Sequence, residues 1–154
     1  MTGVHKTFDQ NLYKKFDAPA KQAMRVHLEH EGHTVTVPPE NFGVDLYSEI
    51  GDLVMYHEVE VFANWKLGNF PFLTGSIPER KIRLVEMLSG NPLYFWRLRS
   101  DLRRALVYGS YCLKDKFLVE VPNKEVESGE YFYRVPVTLG KEFDLKPITH
   151  TEVF

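Results

Sequence analysis

Apolar positions along the chain follow two different periods. Ala20, Ala23, Met24, Val26 and Leu28 recur at helical spacing, so one helix is predicted there. Pro19 suits its first turn, with Asp17 just before it, and Gly32 suits its stop. Thr34-Val35-Thr36-Val37 alternates and is β-branched, which predicts a strand ended by Pro38-Pro39. A second strand is expected from Gly43, and Ile50-Gly51-Asp52 reads as a turn into a third over 53–62. The stretch from Ala63 to Ile77 is irregular, with glycines and prolines among aromatics. A second helix is expected from Ser76 or Pro78, with Ile82, Val85, Met87 and Leu88 on its apolar face and Ser89-Gly90-Asn91-Pro92 at its end. Leu93 to Leu98 forms a strongly marked strand, and Asp101 is placed as the cap of a short helix holding Leu102, Ala105 and Leu106. Further short strands are expected around 117–121 and 131–138. Residues 1–17 read as an arm or short helix, and 140–154 as a loosely attached tail.

The order of helix, three strands, helix, strand and helix argues for an α/β or α+β domain with a central sheet. At 154 residues the chain is expected to form a single domain, 1–154, able to fold without disulfides or a structural metal. A net charge of −2 does not announce a nucleic-acid binder, so any such binding has to come from a local patch. The single cysteine, Cys112, excludes an intramolecular disulfide and fits a reducing compartment; its apolar neighbours mark it as an inert core thiol. No apolar run approaches the roughly 18 residues of a membrane span, and the N-terminus lacks a signal-peptide core. A cytoplasmic protein is expected, of a cell or of a phage or mobile element.

The candidate chemistry is acidic. Residues two apart on a strand point to one face, so Glu58 and Glu60 would project together, roughly 6–7 Å apart. A hairpin would bring Asp45 beside them. Two unit charges at that separation repel by roughly 3 kcal/mol at an effective dielectric near 20. A hard divalent cation is the usual occupant of such an oxygen-only site. The competing possibility is an exposed strand on which one acid faces out and no cluster forms. Arg80, Lys81, Arg83, Arg97, Arg99, Arg103 and Arg104 make 80–104 the most basic stretch, either a phosphate-binding surface or a solvated face. Trp65 and Trp96 fall near both features, with core packing the favoured role for Trp96. His27 and His30 lie on neighbouring helical turns and could share a transition metal, whereas His33 falls beyond the Gly32 stop. No phosphate-cradling glycine loop and no convincing Ser or Cys nucleophile is present.

One set of residues carries a family resemblance. A helix ending in Gly32-His33 leads to the Thr34-Val35 strand, then to Gly43-Val44-Asp45-Leu46, then to Glu58-Val59-Glu60. Leu93-Tyr94-Phe95-Trp96 and Asp101-Leu102-Arg103-Arg104-Ala105 follow. Over Ala20 to about Arg104 this pattern resembles the PD-(D/E)xK nuclease superfamily, in a Glu-x-Glu variant. The resemblance implies a restriction-endonuclease-like central mixed sheet flanked by helices, with 20–104 as the nuclease-like core. It implies a metal-dependent endonuclease hydrolysing phosphodiester bonds in double-stranded or branched DNA. Asp45, Glu58 and the Val59 carbonyl would then ligate Mg²⁺ or Mn²⁺. Glu60, at the family's lysine position, would act on the attacking water or hold a second ion. The acid that many members carry on the first helix has Lys21 or Gln22 at its apparent place, so Lys21, or Lys66 after the third strand, becomes a candidate for the missing catalytic lysine. Cutting two strands with one site per chain implies a homodimer or higher homo-oligomer. The alternatives are a non-catalytic DNA- or protein-binding module on a degraded nuclease fold, and an unrelated α+β domain with surface acids.

Overall fold

The structure is a computed structural model that describes residues 10–39, 43–88, 90–122 and 130–145, with side chains from Asp17 onward. It is an α+β fold of two sheets and few helices. Helix α1 (Gln10–His30) is followed by β1 (Thr34–Thr36), β2 (Leu46–Ile50) and β3 (Leu53–Phe62), an antiparallel meander. A crossover then carries β4 (Thr74–Pro78), a 3₁₀ turn (Glu79–Lys81) and α2 (Ile82–Met87) before β5 (Leu93–Arg99), which pairs parallel to β3. Strands β6 (Arg104–Gly109) and β9 (Lys141–Asp144) extend the main sheet antiparallel beyond β5, giving the order β1-β2-β3-β5-β6-β9. A second sheet is built from β4, β8 (Glu130–Pro136) and β7 (Leu118–Val121), in the order β4-β8-β7.

The main sheet separates two cores. On one face α1 lays Ala20, Ala23, Met24 and Leu28 against Leu46, Trp96, Leu98 and Ala105. On the other, Leu93, Phe95, Leu106 and Tyr108 pack with Trp65, Ile77, Tyr133 and Val135 from the crossover and the second sheet. Alternate residues of β5 therefore serve alternate cores, and its burial is nearly continuous. The expected flanking by helices holds on the α1 face. The other face is covered mostly by the small sheet, with Leu84, Val85 and Leu88 of the α2 segment packing at its border. Among the described residues no helix is long and apolar enough to cross a membrane.

Three expectations are corrected. Helix α1 runs through Pro19 instead of starting there. Proline forfeits one backbone hydrogen bond, and the buried face that follows anchors the helix beyond it. The short helix expected after Asp101 is strand β6, entered through a hairpin turn in which Leu102 takes φ 60°. A strand covered on both faces is apolar without alternation, which imitates a buried helix in sequence. The tail is not loose over its first part, because β9 pairs with β6 and Leu145 is buried. Residues 1–9 of the expected arm and 146–154 of the tail lie outside the described residues.

A candidate active site between the first helix and the crossover

Asp45 enters β2 opposite Glu58 on β3, and its peptide N–H donates to the His57 carbonyl at 3.1 Å. The two acids then lock each other's strands. Glu58 Oε2 accepts from the Asp45 N–H at 3.1 Å, and Asp45 Oδ2 accepts from the Val59 N–H at 2.8 Å. The crossover passes over the face to which Glu58 points and brings Lys81 Nζ to 2.6 Å from Glu58 Oε1. From the opposite side, α1 contributes Asp17 and Lys21 one turn apart, paired at 3.2 Å, with Lys21 Nζ 3.7 Å from Asp45 Oδ1. Asp17, Lys21, Asp45, Glu58 and Lys81 line one cavity of about 280 Å³, together with Pro38, Pro39, Gly43 and Val44.

Glu58 is buried. Loss of solvent pushes its carboxyl above the ordinary range, and the Asp45 charge pushes the same way; the Lys81 hydrogen bond and charge pull back down. Two carboxylates crowded into a partly dry site, with ammonium groups facing their remaining oxygens, form an arrangement suited to a cation or a phosphate. Among the described residues, no group of three or more His, Cys, Asp or Glu side chains is set to hold a metal ion.

The other expected site residues lie elsewhere. Glu60 shares the Glu58 face, but its carboxylate lies 3.3 Å from Arg97 Nη1 and is 57% exposed, outside the acidic cavity. The parallel register sets Glu60 opposite Arg97 and Glu58 opposite Phe95, so only Glu60 has a guanidinium to neutralise. Arg97, expected at a DNA surface, is 4% exposed, donates to the Ser76 carbonyl and lies over the Phe62 and Phe95 rings. Lys66 is exposed in the turn after β3 and does not line the cavity. Val59 meets Asp45 through its N–H.

The basic stretch divides among several places. Arg80 and Arg83 are exposed on either side of Lys81, while Arg103 is exposed in the β5–β6 turn. Arg99 is held by Asp101 and the Gly68 carbonyl, and Arg104 by Glu142 and Asp144. Both tryptophans are buried, and Cys112 is a buried free thiol. His27 packs its ring on Trp96 and Phe143, whereas His33 bonds Ser48, and among the described residues the histidine run forms no group of three set to hold a metal.

Two cavity residues escaped sequence reasoning. A helix starting at Pro19 leaves Asp17 outside it; with the helix continuous, Asp17-x-x-x-Lys21 is an i,i+4 pair and a readable signal. In sequence Lys81 belongs to the basic stretch, and nothing local links it to a carboxylate 23 residues earlier. Compared with models of protein families and with curated proteins, the sequence gives no match.

Proposed function

We propose that this chain is a metal-dependent DNA endonuclease of the PD-(D/E)xK type, with Asp45 and Glu58 as the acids that hold Mg²⁺ or Mn²⁺. The observation that carries this reading is the meeting of those two carboxylates, from separate strands, in one polar cavity with Asp17 and two lysines. The donor set fits the ion: Mg²⁺ binds through one or two carboxylates and keeps several waters. When bound, such an ion would polarise the scissile phosphate and supply an activated water.

The chain's own residues divide the remaining work. Asp17 takes the place of the helix acid that the resemblance calls for. Lys81 takes the part that the resemblance implies for Glu60: its ammonium, beside Glu58, holds a non-bridging phosphate oxygen or orients the attacking water. Lys21 keeps Asp17 and Asp45 at their stations. Arg80 and Arg83, exposed next to Lys81, are the phosphate contacts nearest the site in sequence. A homodimer remains the arrangement by which one site per chain cuts both strands.

The test is Mg²⁺-dependent cleavage of supercoiled and branched DNA, with calorimetric titration of Mn²⁺. Wild type should bind the ion and cut, and Asp45→Asn should do neither. That no three His, Cys, Asp or Glu side chains among the described residues are set together to hold a metal favours one other reading, a non-catalytic DNA-binding module. DNA binding without ion binding or cleavage would establish that alternative.

A further inference from the structure

A second cavity, of about 620 Å³, lies at the other end of α1, on the helix-covered face of the main sheet. Beside the C-terminal end of α1 a bowl opens over parts of β5, β6 and β9, with Ile50 and Met55 also in its lining. Tyr94, Trp96 and Phe143 line it from the strands, and Tyr111 stands beside them with 71% of its surface exposed. The Trp96 ring is fixed in place: its Nε1–H donates to His57 Nδ1 at 3.0 Å. His57 Nε2–H in turn donates to Ser48 Oγ at 2.8 Å, and Ser48 reaches His33 Nδ1 at 2.9 Å. His27 meets the Trp96 ring edge-on at a centroid distance of 5.8 Å. The aromatic platform is thus built before any ligand arrives, which removes the ordering cost from binding.

The lining also carries Glu31, His33 and Lys141, while His27 completes the ring wall. Burial holds both imidazoles below their ordinary pKa, so near neutral pH both rings are neutral; His33 Nδ1 is taken by Ser48, which leaves its Nε2–H as a donor toward the bowl. An aliphatic ligand would leave these groups unmatched. A flat heterocycle satisfies them, because its faces stack on rings while its edge presents donors and acceptors. The volume falls within the range of sites that enclose small ligands, roughly 300–1,000 Å³.

We propose that this bowl is a nucleobase-binding site, in which the base stacks against Tyr94 and Tyr111 beside the buried Trp96, and its edge is read by Glu31 and His33. The same ring reaches it on a free nucleoside or on an unpaired base of a strand. The site is independent of the acidic cavity, since Asp45 and Glu58 do not line it.

The experiment is ¹⁵N NMR of the two indole N–H groups in the intact chain. Titrants are adenosine, guanosine, cytidine and thymidine, and single-stranded DNA pentamers. Saturable movement of the Trp96 signal, with the Trp65 signal still, is expected from at least one set; which set responds identifies the source of the base. Tyr111→Ala, at an exposed position, should weaken that binding about tenfold, the typical loss of one stacking partner. Asp45→Asn should leave it unchanged, so failure here and failure of the nuclease reading are separable. No saturable shift with any titrant overturns the proposal. So does equal binding by indole, which stacks but lacks the base's polar edge, or by ribose 5-phosphate, which lacks the ring.

Discussion

Lys81 Nζ lies 2.6 Å from Glu58 Oε1, and these two side chains come from segments that share no secondary structure. Glu58 is fixed on β3, whereas Lys81 arrives on the 3₁₀ turn that follows β4. On the nuclease reading the pair sets one acid and one ammonium side by side, the ammonium placed to stabilise charge that develops on the phosphate. Lys81→Met should lower the cleavage rate by about 10²-fold or more, in the range for loss of a positioned catalytic group. It should also move the Glu58 carboxyl titration further up, because Lys81 is what pulls it down. Carboxyl ¹³C NMR across pH reads the second effect; an unmoved titration would remove the pair from the account.

His57, the neighbour of Glu58 on the opposite face of β3, predicts an acid-labile fold. Burial, assisted by His33, drives its pKa down to about 3. The unfolded chain therefore binds the proton first, and stability is lost as pH falls from the ordinary histidine value of 6.5 toward 3. At pH 5 the loss from this one group is about 2 kcal/mol. Urea midpoints at pH 7 and pH 5 should show that drop, and His57→Gln should show a smaller one.

Glu60 is assigned a structural part. Glu60→Gln should leave cleavage and Mn²⁺ binding intact, since its carboxylate faces Arg97 and not the cavity. It should destabilise the chain by about 1–2 kcal/mol, between the values for exposed and buried ion pairs, because a buried guanidinium loses its counter-charge. Loss of cleavage at unchanged stability would return Glu60 to the active site.

Gly75 is where β4 crosses the Tyr108 ring. A Cβ there would lie 2.6 Å from Tyr108 Cε2 and 3.0 Å from its hydroxyl. Tyr108 is fully buried and its hydroxyl donates to the Val135 carbonyl, so it has little room to withdraw. Gly75→Ala should cost about 1–3 kcal/mol by overpacking the space between the two sheets. A thermal midpoint equal to wild type would mean that the second sheet shifts freely on the first.

Local pattern alone determined much of this protein. The meander of β1, β2 and β3, the strand at Leu93 and the pairing of Asp45 with Glu58 were legible because strand alternation and turn residues act over a few positions. The helix through Pro19, the strand in place of a helix after Asp101 and the docked β9 were not legible. In each case burial against a distant segment overrode the local signal. The same distinction governs the site. Two acids on a hairpin are a short-range fact. The separation of Glu58 from Glu60 follows from what the parallel β5 sets opposite each, Phe95 for one and Arg97 for the other. The lysines are a long-range fact as well: parallel strands require a crossover, and its path brings Lys81 over Glu58. Side-chain spacing says which residues share a face, and only the packed sheet says which charges meet there.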